Sequence, residues 1–496
     1  MLHTHSLGRA QRLYAEWDAF ASEGRRTTFR QLHARVAGLA AALRRRGFEA
    51  GDRLAVLLPN GRDYAEIVYA CAWLGVIAVP LNTRLSPAEI DRVLTDAAPR
   101  GLIRHSSFPA PSVGIPWQVV LDEQPLSVGD DLPPEPVYDP EAILALVYTS
   151  GTTGHPKGVV VTHANVLANV HHLNYWLPFR ERGVYLHAAP MFHILDLPFL
   201  FAAPAAGTCQ VTIPKFIPRA FCEAIQRERV TLTVVVPTMI AMLIEFSEIR
   251  SFDLWSLTEL AYGGSPMAPE LIHRVRRALP HVALIQGYGM SEAGFLTGLR
   301  DSQHTEDRLL SCGRTCPGIE LRVVDETGQD AAVGRPGELT VRGANVMRGY
   351  WNNPEETAQA LRDGMLRTGD VGYVDPDGFV YILDRLKDMI VTGGENVYSG
   401  EVEAALYAHP SVLEAAVFGI PDARWGEVVM ACVVRRPGSA LSAEVLASHC
   451  RHILAGYKVP RRFDLSDTEL PKSGSGKILK RLLRERFWTQ EGRAVR

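Results

Sequence analysis

The chain has 496 residues, with 55 Asp and Glu against 52 Lys and Arg, a formal charge of −3. At 22% charged and 47% apolar residues it has ordinary water-soluble composition, and the near-balance of charge excludes a dedicated nucleic-acid binder, which would carry a basic excess. A chain of this length can bury several cores without disulfides or a structural metal, and its seven scattered cysteines lack paired zinc-ligand spacing, so they read as reduced thiols of a cytoplasmic protein.

In chain order, residues 1–14 are polar and mixed in charge, without the apolar stretch of a secretory signal. Residues 30–48 have helical periodicity through Leu32, Val36, Leu39 and Leu43, with Gly47 as a stop. An apolar strand at 54–58 follows, ended by Pro59, Asn60 and Gly61; a second helix spans about 64–74 and another strand 78–81. This alternation predicts a parallel sheet flanked by helices. The stretch 108–140 carries eight prolines and reads as irregular chain between two sub-domains. Strands are expected at 142–148, 184–188, 232–236 and 282–286, with helices between them. The run 191–206 is apolar but holds His193, Asp196, Pro198 and Pro204; it reads as a buried pocket wall, and no run reaches the roughly 20 residues of a membrane span. After Lys387 the texture changes to helices at 399–409, 443–454 and 476–487 and strands at 412–418 and 428–434. The expected architecture is therefore a large α/β body with several sub-domains over 1–386, built on parallel sheets flanked by helices. A small α+β domain covers 387–496.

The strongest local signal is TSGTTGHPKG at 149–158. An apolar strand runs into a loop with Thr149, Ser150, Gly151, Thr152, Thr153, Gly154 and Lys157, and another strand follows. Glycines let backbone N–H groups approach an anion, while hydroxyls and a lysine add donors, so the loop is suited to phosphate. It is not a Walker A loop: counted from Gly151, Pro156 stands where that motif needs glycine, and Gly158 where it needs Ser or Thr.

This run resembles the signature of the adenylate-forming superfamily, which includes acyl-CoA synthetases. The likeness extends in order through QGYGMSE at 286–292, RTGD at 367–370, DRLK at 384–387 and SGSGK at 473–477. By that resemblance Tyr288, between Gly287 and Gly289, packs on adenine; Ser291 donates to the α-phosphate; and Glu292 holds Mg²⁺, for which one carboxylate suffices when phosphates and waters supply the other ligands. Gly263, Gly264 and Ser265 would meet the adenine edge and the acyl group. Asp370 would accept from the ribose hydroxyls, with Arg385 on the same nucleotide region. Lys387 falls at the family's hinge, which makes the small domain a mobile lid. Lys477, on a glycine-rich loop expected to open a basic helix, would neutralise charge growing on the α-phosphate. Lys480, Arg481 and Arg484 read as a solvated helix face, with CoA phosphates or an anionic membrane surface as the alternative. His193 would lie where the acyl pocket meets the thiol tunnel and act by positioning.

The resemblance implies two steps. A carboxylate attacks ATP to give acyl-AMP and pyrophosphate, then the lid turns about Lys387 and a thiol passes Gly394 to reach the acyl group. The thiol is expected to be CoA, since no carrier domain follows Lys477; a free-standing enzyme loading a carrier protein is the alternative, and a homodimer is compatible with either. The segments 193–197, 237–239, 263–265 and 294–296 contain no Lys or Arg, which disfavours a second carboxylate on the acid. A medium or long fatty acid is favoured and an aryl acid comes next. Asp196 either caps local backbone or bonds a polar group of the acid. A non-catalytic nucleotide-binding protein on this fold should have lost Lys477 or Glu292, and both are present.

Overall fold

The computed structural model describes residues 2–22, 24–126, 134–150, 156–422, 424–473 and 476–487, apart from the side chains of residues 3, 4 and 150. They form three sheets. The first has seven strands in the order Gly349–Tyr350, Pro156–Thr162, Ile143–Ser150, Ile77–Pro80, Arg53–Leu57, Gly101–Arg104, Trp117–Val120. Its last five strands are parallel and its first two antiparallel. Parallel strands covered on both faces read as continuous apolar runs, which is why 53–57 and 77–80 were legible. The helix Phe29–Arg45 packs beside them, started by a capping box in which Thr28 and Gln31 satisfy each other's backbone N–H groups.

The second sheet has fourteen strands. From Asp18–Ser22 to Ala283–Met290 they run parallel, and beyond that the sheet turns antiparallel through Gly294–Leu299, Ser311–Thr315, Val380–Arg385 and Met365–Val374. The third sheet is built from Glu395–Val397, Ile390–Thr392, Gly426–Arg435, Val412–Asp422 and Arg462–Ser466. Helices Ser399–Tyr407 and Ala443–Ile453 contribute to the core on one of its faces. The chain thus passes from the second sheet to the third between Arg385 and Ile390. No helix among the described residues is long and apolar enough to cross a membrane.

Three expectations need correction. The proline-rich stretch contains an edge strand, Trp117–Val120, paired with Gly101–Arg104. Trp117 fills the space left by Gly101, where a Cβ would sit 2.6 Å from its ring, and meets Phe48 edge-on at 5.5 Å. An edge strand pairs on one side only, so neighbouring prolines do not forbid it. In the second case, 476–487 is not one helix. Only Lys480–Arg484 is helical, because Ser473 N–H donates to the Lys477 carbonyl and Leu479 N–H to that of Pro471, which holds 476–479 against 471–473. Finally, the strand expected at 282–286 continues to Met290 and carries Gly287, Tyr288 and Gly289 within it.

Candidate functional site

Residues of all three sheets line one cleft of about 3670 Å³. Thr149, Lys157, His193, Gly263, Gly264, Ser265, Gly287, Tyr288, Gly289, Ser291, Glu292, Asp370, Arg385, Lys387 and Lys477 all face it. Ser150 ends its strand opposite Pro156; Gly151, Thr152, Thr153 and Gly154 lie outside the described residues. Gly394 does not join the cluster. It sits on the exposed turn between Ile390–Thr392 and Glu395–Val397, away from the cleft lining.

Strand pairing sets the floor. Gly263 lies opposite Gly287 in adjacent parallel strands. Gly289 has no alternative residue, since a Cβ there would stand 1.9 Å from the Gly294 carbonyl oxygen. Asp370 and Arg385 are direct cross-strand partners, which brings Arg385 Nε to 2.7 Å from Asp370 Oδ1. Tyr288 OH donates to Asp370 Oδ2 at 2.5 Å. The ring and the carboxylate expected on one nucleoside are therefore already locked together, and Asp370 is 3% exposed.

Two features were missed by the sequence reading. Tyr350 OH donates to Glu292 Oε1 at 2.9 Å, which leaves the second Glu292 oxygen available. Lys157 is paired with Glu356, 2.5 Å away. Neither partner lies near its residue in sequence, and no local pattern marks either. No group of three or more His, Cys, Asp or Glu able to hold a metal occurs among the described residues. Glu292 could hold a divalent cation only with ligands brought by phosphate and water.

Lys477 enters from the third sheet's side. Its N–H donates to Ser473 Oγ at 3.1 Å, and the preceding Gly476 carbonyl accepts from Thr238 Oγ1 at 3.4 Å across the cleft. Gly264, left-handed at φ +81°, clears the space beside it: a Cβ at Gly264 would meet Lys477 Cε at 3.5 Å. Lys477 makes no ion pair or side-chain hydrogen bond among the described residues. Burial first, then the charge of Arg385, lower its pKa below that of an ordinary lysine. Two cations lining one cleft, Lys477 unpaired and Arg385 paired with Asp370, form a site fitted to an anion.

His193 stands near that ammonium. Burial, then Lys477, push its pKa down to about 3, so the imidazole is neutral and its Nδ1 accepts from Leu195 N–H at 3.1 Å. A ring so hard to protonate is a weak proton acceptor. Asp196 corrects both earlier readings. It is fully buried, does not line the cleft, and accepts from Tyr185 OH and His187 Nδ1, each at 2.6 Å. It neither caps backbone nor faces an acid.

An α/β body with a small unit that inserts one lysine into a glycine-lined cleft is the arrangement expected of an adenylate-forming enzyme. The family model described as AMP-binding enzyme matches residues 8–351, and that described as AMP-binding enzyme C-terminal domain matches 401–477. The chain therefore belongs to this family, and its relatives place it among the acyl-CoA synthetases. It is 40% identical over 485 residues to a feruloyl-CoA synthase of Amycolatopsis sp, covering 97% of this chain and 98% of that one. It is 36% identical over 496 residues to the fatty acid–[acyl-carrier-protein] ligase ScoC of Streptomyces coeruleorubidus, covering 96% and 95%. The structure of O-succinylbenzoate coenzyme A synthetase (MenE) from Bacillus subtilis in complex with ATP and magnesium ion matches with a TM-score of 0.87 at 33% identity, over 97% of this chain and 98% of that one.

Proposed function

We propose that this enzyme activates an apolar monocarboxylic acid with ATP and transfers the acyl group to CoA. The observation that carries the reading is the unpaired Lys477 at the junction of Gly264 and His193. There a cation meets both the residues read as nucleotide-binding and the apolar part of the cleft lining. In the first step a carboxylate oxygen of the acid bonds to the α-phosphorus of ATP, and the bond to the pyrophosphate oxygen breaks. Lys477 offsets charge on the α-phosphate, with Ser291 as a further donor. The loop 149–157 holds the terminal phosphates through Thr149, its other hydroxyls and Lys157. Tyr288, Asp370 and Arg385 bind the nucleoside, with Gly263, Gly264 and Ser265 along its edge. Mg²⁺ at Glu292, when bound, would supply charge neutralisation to the phosphates.

The second step needs Lys477 out of the way. Residues 387–496 then act as a lid hinged at Lys387, and rotation brings the Gly394 turn to the cleft so that a thiol reaches the acyl carbonyl. The C–S bond forms as AMP leaves. A lid in its first-step position accounts for why Gly394 now faces solvent.

For the acid, Phe192, Ile194, Leu195, Pro237, Met239 and Phe295 line the cleft beside His193. The two aromatic rings in this apolar lining and the 40% identical feruloyl-CoA synthase favour an aryl or arylpropenoic acid. A fatty acid is the second reading, supported by the carboxylic acid named for ScoC. The test is pyrophosphate release across arylpropenoic, benzoic and fatty acids, with and without CoA. Turnover on an aryl acid that requires CoA supports the proposal. A single burst of pyrophosphate with no CoA turnover would replace CoA with a carrier protein, and turnover confined to fatty acids would overturn the aryl assignment.

A further inference from the structure

Lys157 and Lys477 face the same cleft but differ in one respect. Lys477 has no ion-pair partner among the described residues, whereas Lys157 Nζ lies 2.5 Å from Glu356 Oε2. Both side chains are largely enclosed, at 16% and 30% exposed. Backbone pairing builds this contact. Gly349 and Tyr350 pair with Val160 and Val159 on the strand that begins beside Lys157. Trp351 N–H then donates to the Gly158 carbonyl at 2.7 Å. Asn353 caps the helix Pro354–Ala360 by accepting from Glu356 N–H at 3.1 Å, which fixes Glu356 in the first turn beside Lys157. The Tyr350 ring lies 5.5 Å from the ammonium, and its hydroxyl is the one bound to Glu292. The carboxylate is therefore held where Lys157 would meet a phosphate.

We propose that Glu356 is a built-in competitor for the terminal phosphates of ATP. It occupies Lys157 when no pyrophosphoryl group is present, gives way when ATP binds, and recaptures the lysine as pyrophosphate leaves. The inference rests on the reading of Lys157 as a phosphate-binding residue. A carboxylate and a phosphate are alternative anions for one ammonium, so each ATP that binds Lys157 must break the Glu356 pair. AMP lacks the terminal phosphates and breaks nothing. Glu356 therefore weakens ATP and pyrophosphate relative to AMP and favours departure of the first product.

The test is calorimetric binding of ATP, pyrophosphate and AMP, without acid and at constant Mg²⁺, to the full-length enzyme and to Glu356→Gln and Lys157→Ala. Glu356→Gln keeps the backbone N–H that Asn353 caps, and its AMP affinity reports that the cleft is intact. It should bind ATP and pyrophosphate about fivefold tighter, the worth of one partly enclosed ion pair, with AMP unchanged. Lys157→Ala should weaken ATP, and adding Glu356→Gln to it should bring no gain. If Lys157→Ala weakens ATP while Glu356→Gln leaves it unchanged or weaker, the competitor role is overturned and the phosphate role of Lys157 stands. If Lys157→Ala leaves ATP binding intact, the phosphate role fails and the competitor role with it.

Discussion

Asp196 offers the sharpest test of how the pocket wall is held. Its carboxylate is 0% exposed and accepts two hydrogen bonds at 2.6 Å, from Tyr185 OH and His187 Nδ1. The other His187 nitrogen, Nε2, faces Gln210 Oε1 at 3.1 Å. Gln210 Nε2 donates to Tyr69 OH, which in turn donates to the Leu200 carbonyl. The network thus runs behind the turn that carries His193, and Asp196 N–H donates to the His193 carbonyl at 2.9 Å. Asp196→Ala would strand a hydroxyl and a ring N–H in a site water cannot reach. Leaving each of these two buried donors unpaired costs about 1–3 kcal/mol, together a large share of the roughly 5–15 kcal/mol that holds a typical domain together. Asp196→Asn keeps one acceptor and should cost less, about 1–3 kcal/mol. Urea unfolding of the three proteins measures this, and kcat/KM over the acid panel is measured alongside. The carboxylate does not line the cleft, so all acids should lose activity together with their order kept. A stable Asp196→Ala enzyme, or one whose preference among acids is reordered, would refute the assignment.

Lys477→Ala should slow pyrophosphate release by at least about a hundredfold while leaving CoA transfer from a supplied acyl adenylate nearly intact; equal loss in both half-reactions would contradict its one-step role. Because burial and Arg385 lower the Lys477 pKa, the ammonium is lost at lower pH than in an ordinary lysine. The adenylation rate should accordingly decline on the alkaline side before pH 10.5, as a rate profile of the half-reaction would record. His163 and His193 are held neutral, with pKa values pushed down by burial to about 4 and about 3. The unfolded chain takes up these protons near the ordinary 6.5, so the stabilisation present above that value drains away as pH falls toward 4 and then 3. Urea midpoints should drop between pH 7 and pH 5, and drop less in a His193→Gln, His163→Gln double variant, in which His33, His172 and His304 are still lowered by burial; an undiminished drop would refute this source.

What could be read from sequence followed from how each element meets water. Strands such as Arg53–Leu57 and Leu232–Val235 are covered on both faces, so their apolar runs announce them. The strands from Gly294 to Arg385 are mostly half-exposed and antiparallel, with polar residues such as those of Glu320–Val324 and Gly337–Arg342. They carry no unbroken apolar signal, and that part of the body went unread. At the site, glycine spacing marked Gly287 and Gly289 because close strand approach forbids other residues there. The partners of the charged groups were invisible: Glu356 meets Lys157 across 199 positions, and Tyr350 meets Glu292 through a two-residue strand. Asp196 looked anomalous in an apolar stretch, yet its partners Tyr185 and His187 are on a neighbouring strand and only the fold brings them together.

The cysteines have a consequence for an enzyme of this chemistry. All seven are free and buried. Burial pushes six of their thiols up to about 12 and that of Cys450 to about 11. A mixed anhydride of acid and phosphate acylates whatever thiolate it meets. Cys312 lines the cleft, yet like the other six thiols it is buried and stays protonated, so the activated acyl group meets no thiolate of the protein, and CoA finds no surface cysteine with which to form a mixed disulfide. The enzyme's own thiols are thus silent toward both the electrophile it makes and the nucleophile it recruits.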